Sequence, residues 1–91
     1  MQSELEKKWK HRLIDEGFSN VFTVIDGPDG VYGKHSHPRF TIHVILEGEM
    51  SVTMDDKITV YKAGDHFELP PSTDHSAQMG PAGCTYLVGE K

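Results

Sequence analysis

The stretch KHSHPRFTIHVILEG, residues 34–48, decides the fold and also raises the question of function. Its second half carries apolar residues on both faces of a predicted strand. Its first half places His35 and His37 two residues apart, directly before Pro38. Side chains two apart on a strand point the same way and lie about 6.6 Å apart, so two imidazoles there can approach one ion. By itself the pair is a weak signal, because a polar pair in a surface turn has the same pattern.

The chain after Gly17 has the pattern of an all-β protein. Short runs rich in Val, Ile, Thr, Phe and Tyr alternate with turn-forming residues about every 8–12 positions, which is typical of a β-sandwich or barrel. The predicted strands are residues 21–25, 31–37, 40–46, 50–54, 58–62, 66–70, 75–79 and 84–89. Each predicted turn contains Gly, Pro or Asp. These turns are residues 27–30, 47–49, 55–57, 62–65, 70–73 and 80–83.

Residues 3–16 are predicted to form a helix in front of these strands. Ser3 begins a capping-box sequence, and Gly17 suits the position after a helix end. One apolar stripe runs along the helix, formed by Leu5, Trp9 and Leu13. The chain is therefore predicted to consist of an N-terminal helix, residues 1–17, and a β-barrel domain, residues 18–91.

The composition excludes several classes of function. The chain has 91 residues, enough for one small domain, and a formal charge of −5 from 14 acidic and 9 basic residues. Nucleic acids and anionic membranes need a basic surface, so neither is an expected partner. No apolar run approaches the ~20 residues that cross a bilayer. A single cysteine, Cys84, excludes an internal disulfide and fits a reducing compartment, so we expect a cytoplasmic location.

A third histidine, His75, lies farther along the chain. The preceding residues 70–74 are rich in turn-forming types, which would hold His75 rigidly at the start of a strand. Three histidines from separate segments indicate a metal site more strongly than one pair does.

The chain resembles the cupin superfamily from residue 30 to residue 79, in both motifs of that family and in their spacing. The first motif reads His-x-His, three residues, Glu, six residues and Gly. The second reads Gly, five residues, Pro-x-Gly, two residues, His, three residues and Asn. The matching positions are His35, His37, Gly48, Gly64, Pro70 and His75. The positions that depart are Thr41 for the Glu, Ser72 for the Gly and Met79 for the Asn.

The resemblance implies an all-β fold, the cupin double-stranded β-helix, which is a small jelly-roll-like barrel, behind the N-terminal helix. It also implies that His35, His37 and His75 point into the barrel and bind one divalent transition metal, such as Fe, Zn, Ni or Mn. Thr41 takes the carboxylate position, and a threonine hydroxyl is a poor ligand for such an ion. The implied site is therefore three neutral imidazoles, with water completing the coordination shell.

Two functions stay open under this resemblance, besides a cupin whose histidines hold no metal and only line the cavity. The first is a metal-dependent enzyme of the dioxygenase or isomerase type, which converts a small molecule at the open positions of a three-histidine centre. The second is a non-catalytic module that senses a small ligand. The sequence does not decide between catalysis and binding.

Further residues are candidates for the site. His43 shares strand parity with Thr41, so it is a candidate extra ligand in place of the missing Glu, or a residue that supports the ligands or faces the substrate. A bulge at Pro38 would alter this parity relative to the His35–His37 pair. The candidates for the substrate pocket are Arg39, Phe67, Met79 and Tyr86.

The predicted strand 40–46 also suggests an oligomer. Because apolar residues occur on both of its faces, it needs a cover on each side. In so small a chain we expect a second subunit to form one of these covers, and hence a homodimer.

Overall fold

The computed structural model describes residues 3–91, and there the predicted all-β fold with an N-terminal helix is confirmed. One helix precedes six strands in this part of the chain. These elements are α1 (Glu4–Asp15), β1 (Asn20–Asp26), β2 (Val31–His35), β3 (Thr41–Met54), β4 (Lys57–Lys62), β5 (His66–Leu69) and β6 (His75–Glu90).

Helix α1 begins as its sequence predicts. The side chain of Ser3, the N-cap, accepts a hydrogen bond from the backbone N–H of Glu6 at 3.1 Å. Such a cap satisfies one of the N–H groups that the first turn leaves without a partner. Among the residues that the structure describes, no helix is long and apolar enough to cross a membrane.

The strands form one antiparallel sheet, which bends around a central cavity. Their order is β1-β6-β3-β4, and in addition β2 pairs with β6 and β5 pairs with β3. Strand β6 therefore has two partners on one side. Its last residues pair with β1, from Asn20 opposite Glu90 onward, whereas its first residues pair with β2, ending at His35 opposite His75.

Two of the predicted turns are wrong. Residues 47–49 lie inside β3 and residues 80–83 lie inside β6, so each of these strands combines two that were predicted separately. The register of the β3–β6 pair shifts near Ile45 and again near Gly48, as expected where bulges bend a strand. Glycine in a strand pattern marked a bend of the strand here, and not a reversal of the chain.

The bends of β3 and β6 meet at two glycines. Gly48 and Gly83 have φ values of 77° and 79°, which other residues rarely adopt. A Cβ atom on Gly48 would overlap the carbonyl oxygen of Gly83. The close crossing of the two long strands thus requires the absence of a side chain at this point.

Strand β3 is covered on both faces, as predicted, but both covers come from this chain. The face that turns away from the cavity packs against the helix and against Phe18, three residues after the helix end. The buried members of this outer cluster are Leu13, Phe18, Ile42, Val44, Leu46 and Leu87. Because α1 supplies the cover that was predicted to come from a second subunit, the apolar faces of β3 no longer support a homodimer.

Candidate metal centre

Three histidines from three places in the chain lie together at the cavity. His35 ends β2 and His75 begins β6, and the two are paired across the strands. His37 lies in the connection 36–40. The ring centroids are 4.3 Å apart for His35 and His75, 4.9 Å for His35 and His37, and 5.1 Å for His37 and His75. The nitrogens that the three rings can offer to an ion lie within 4.8 Å of one another.

The segments that carry these histidines are tied to each other. The N–H of Ser72 donates to the carbonyl oxygen of His37 at 2.8 Å, which joins the connection 36–40 to the turn before His75. That turn is closed by Thr73 Oγ1, which donates to the carbonyl oxygen of Pro70 at 2.8 Å. The predicted strand 31–37 ends early, at His35, since Pro38 has no N–H with which to continue a ladder. His37 is therefore positioned by a loop contact instead of a strand.

Two of the rings present a defined nitrogen to an ion. Nδ1 of His35 lies 2.6 Å from the carbonyl oxygen of Gly33, and Nδ1 of His75 lies 3.0 Å from that of Thr73. A carbonyl oxygen can only accept, so Nδ1 carries the proton and donates in both contacts. In the neutral ring Nε2 is then the nitrogen without a proton, and such a nitrogen is the one that binds a metal. The donor set of the cluster fits a divalent transition metal.

The surroundings of His37 favour its neutral imidazole. Burial lowers the pKa of His37 below its ordinary value, and the neighbouring His75 and His35 lower it further. The carboxylate of Glu90 acts in the opposite direction. Because metal ions compete with protons for imidazole nitrogens, a lowered pKa keeps the ligand available at neutral pH.

The histidines line a cavity of about 180 Å³ whose walls are mainly apolar. Of the predicted pocket residues, Phe67, Met79 and Tyr86 line this cavity. Arg39, in the connection 36–40, is exposed and does not belong to the lining. The apolar wall also includes Phe22, Val24, Met50, Val52, Ala77 and Val88.

Two buried polar atoms in the wall, Thr41 Oγ1 and His43 Nδ1, have no hydrogen-bond partner among residues 3–91. Strand β3 presents both side chains to the cavity. Among the described residues, only the nitrogens of His35, His37 and His75 lie together, and His43 is not part of that group. Its side chain forms part of the cavity wall beside the cluster. Burial, followed by His37, His75 and His35, lowers the pKa of His43 to about 3. Orphaned buried atoms of this kind indicate where a ligand or a water molecule would bind.

Two acidic residues near the cavity were not predicted from the sequence. Glu90 lines the cavity at the end of β6, and the alternation of Cys84, Tyr86 and Val88 on one strand face would have indicated it if continued by two residues. The Asp26 carboxylate accepts hydrogen bonds from the hydroxyl groups of Tyr86 at 2.8 Å and Tyr32 at 2.9 Å. No local pattern indicates the contact between Asp26 and Tyr86, because these residues are 60 positions apart.

Comparison with solved structures finds the same fold in other proteins. An RmlC-like cupin from Shewanella frigidimarina is 27% identical with a TM-score of 0.68, over 77% of this chain and 63% of that protein, so the chain spans less than two thirds of it. The DMSP lyase DddQ from Ruegeria pomeroyi is 25% identical with a TM-score of 0.72, over 78% of this chain and 36% of that protein. KdgF from Halomonas sp. is 22% identical with a TM-score of 0.66, over 78% of this chain and 67% of that protein, a likeness of fold alone.

No curated protein matches the chain. A family match is nevertheless clear, since the cupin domain matches residues 22–88, from β1 to near the end of β6. This range includes both histidine motifs and the cavity between the strands. The chain therefore belongs to the cupin family.

Proposed function

We propose that this cupin holds a divalent transition metal with His35, His37 and His75, and that it uses the ion to bind or convert a small molecule. The observation that carries the proposal is the approach of the three rings, whose nitrogens lie within 4.8 Å of one another. Fe, Zn, Ni and Mn are the candidate ions, and each would supply Lewis-acid chemistry at the cavity when bound. An oxygenase or isomerase type of reaction fits a centre with open positions.

The cavity limits the ligand to a small molecule with an apolar body. Its volume of about 180 Å³ is close to that of an apolar cavity that holds benzene, which is about 150 Å³. Thr41 Oγ1 and His43 Nδ1 are the buried polar atoms that would meet a hydroxyl, carbonyl or similar group of this ligand. Arg39 is exposed and would contact only a ligand that extends out of the cavity.

The comparisons support an enzymatic use of this fold, but they do not indicate a substrate for this chain. One of the similar structures is a DMSP lyase, and this chain spans 36% of that protein. In this chain the cupin barrel is the part that would hold the ion. Substrate choice depends on side chains and segments outside such a core, so the similarity supports a type of site only.

The alternative function is non-catalytic sensing of a small ligand, and one observation favours it. With a pKa of about 3, set mainly by burial, His43 is a weak proton acceptor at neutral pH. A general base works best with a pKa near the working pH. His43 is therefore better suited to forming a hydrogen bond with a ligand than to removing a proton from it. Hydrogen bonding is sufficient for a binding site.

Metal analysis of protein purified without added metal tests the proposal. The parent is compared with a His35→Ala/His75→Ala double variant and with a His11→Ala/His66→Ala control, which removes two exposed histidines away from the cluster. We expect near-stoichiometric metal in the parent and the control, and none in the cluster variant, with circular dichroism showing that all three fold. An absence of metal in the parent, together with no uptake of Fe²⁺, Zn²⁺, Ni²⁺ or Mn²⁺ on titration, would contradict the proposal.

The location and the oligomeric state stay predictions. The single cysteine fits the cytoplasm, where thiols are kept reduced. A homodimer is expected on the general ground that so small a core gains stability from a second copy. Light scattering at micromolar concentration tests this prediction, and the mass of a monomer would contradict it.

A further inference from the structure

Glu90 lies between two residues that fix where its side chain points. Its partner on β1 is Asn20, and its partner on β3 is Thr41. Directly opposite residues of antiparallel strands share a face of the sheet, with Cβ atoms about 4.5–5.5 Å apart. Since Thr41 faces the cavity, Glu90 faces it as well, and both belong to its lining.

The carboxylate is held in place at this position. Asn20 Nδ2 donates to Glu90 Oε1 at 2.6 Å, so the two side chains at the end of the strand pair are linked. The Glu90 side chain is therefore oriented by a partner on β1, while its charge lies at the cavity. Glu90 and the three histidines line the same cavity of about 180 Å³, so this charge faces the space that the cluster lines.

A divalent ion among three neutral imidazoles has no negative charge from its ligands. In a partly buried site, a nearby carboxylate stabilises such an ion because the attraction is weakly screened there. Among the described residues 3–91, Glu90 is the one carboxylate that lines the cavity. Thr41, directly opposite, is uncharged and leaves Oγ1 without a partner. At the Thr41–Glu90 position the acidic side chain is therefore on β6 and none is on β3.

We propose that Glu90, supplied by β6 from the position opposite Thr41, helps to hold the divalent ion through its charge, from the wall of the cavity. The inference rests on the proposed function, since it requires an ion at His35, His37 and His75. The Glu90 carboxylate is not among the groups that lie within 4.8 Å of one another, so the proposal concerns its charge and not direct coordination.

The test uses Co²⁺ as the probe, because its absorption spectrum reports the groups around it. Metal-free protein is titrated with Co²⁺ in competition with a chromophoric chelator, for the parent, for Glu90→Gln and for a Glu68→Gln control. Glu68 is exposed and is paired with Ile42, whose side chain faces the helix and not the cavity. We expect Glu90→Gln to weaken Co²⁺ binding by about 10–100-fold and to change the spectrum, while the control stays within about twofold of the parent.

A second variant separates the charge from the structure of the strand ends. Thr41→Glu combined with Glu90→Gln moves the carboxylate to the opposite strand at the same level of the cavity. We expect this double variant to regain most of the lost affinity. If it folds but regains none, the effect of Glu90 is structural and the proposal is overturned.

Failure of the Glu90 proposal and failure of the three-histidine proposal give different results in this titration. A parent that binds Co²⁺ with an affinity unchanged by Glu90→Gln would overturn the role of Glu90 and leave the three-histidine site intact. A folded parent that binds no Co²⁺ at all would overturn both. Circular dichroism on each variant shows whether a loss of binding reflects unfolding, and in that case the Thr41→Glu/Glu90→Gln variant decides.

Discussion

The ring of His43 lies flat against the ring of Phe67, with the planes 2° apart and the centroids 4.7 Å apart. The two residues are also opposite each other on β3 and β5. This stack holds a titratable group in the wall of the cavity, where Nδ1 has no partner among residues 3–91. An imidazole in such surroundings strongly prefers its neutral form.

Acid should therefore destabilise the metal-free protein through His43. Burial, with His37, His75 and His35, lowers its pKa from 6.5 to about 3. Between these two values the unfolded chain binds a proton that the folded chain does not, so the free energy of unfolding decreases as the pH falls. From pH 7 to pH 5 this effect amounts to about 2 kcal/mol. Urea unfolding in the presence of a chelator measures it.

A His43→Phe variant provides the comparison, because it keeps an aromatic ring against Phe67 and removes the titration. Its loss of stability between pH 7 and pH 5 should be smaller than that of the parent by about 2 kcal/mol. His11→Phe, at an exposed position on α1, should behave like the parent. Equal pH dependence in the parent and His43→Phe would contradict a buried, neutral His43.

The affinity for Zn²⁺ should fall in acid for a related reason. Each imidazole must lose its proton to bind the ion, and burial, with His75 and His35, lowers the pKa of His37. We expect nearly constant affinity from pH 8 to pH 7 and a decline below about pH 6.5, with release of more than one proton per ion. Competition with a chelator of known pH dependence measures this profile. A flat profile down to pH 5 would indicate that carboxylates, not histidines, hold the ion.

The contact between α1 and the sheet should contribute much of the stability. Leu13 is fully buried in the outer cluster, whereas the neighbouring Ile14 is 62% exposed. Leu13→Ala should lower the free energy of unfolding by about 2–5 kcal/mol, because it leaves a cavity between the helix and β3. Ile14→Ala, the matched control, should change it by about 0.5 kcal/mol or less. Urea unfolding at neutral pH measures both, and equal effects would contradict the packing of α1 described above.

The crossing of the two long strands should tolerate no side chain at Gly48. Gly48 and Gly64 both have positive φ, at 77° and 95°, but only Gly48 faces another backbone, whereas Gly64 has open space. Gly64→Ala should cost about 1–2 kcal/mol for the backbone conformation alone. Gly48→Ala should cost at least about 2 kcal/mol more, because the methyl group overlaps the carbonyl of Gly83. Thermal or urea unfolding of the two variants compares them, and similar losses would rule out the steric reason.

Much of the fold and part of the site follow from local sequence patterns. The helix follows from its cap at Ser3 and its apolar stripe, and the strands follow from β-branched runs between turn-forming residues. The three histidines were identified because two motifs with independent spacings contain them. In each case the signal lies within a few adjacent residues, where chain geometry determines which side chains share a face.

What could not be predicted depends on distant contacts. Glycine at positions 48 and 83 has the same local signal for a turn as for a bulge, and only the pairing of β3 with β6 distinguishes them. The apolar faces of β3 indicated that two covers were needed, but not that α1 was one of them. Likewise the contact that orients the Glu90 side chain joins it to Asn20, 70 positions away.

That last pairing has a consequence for how the protein is made. During translation β1 has no partner until residues 84–90 have left the ribosome, because these are the residues it pairs with. Until then the apolar wall that includes Phe22 and Val24 faces water, in a nascent chain that is prone to aggregate or to engage chaperones. His35 likewise has no partner on the neighbouring strand until His75 has left the ribosome. We therefore expect the sheet and the histidine cluster to form together, once residues 84–90 have emerged, rather than strand by strand.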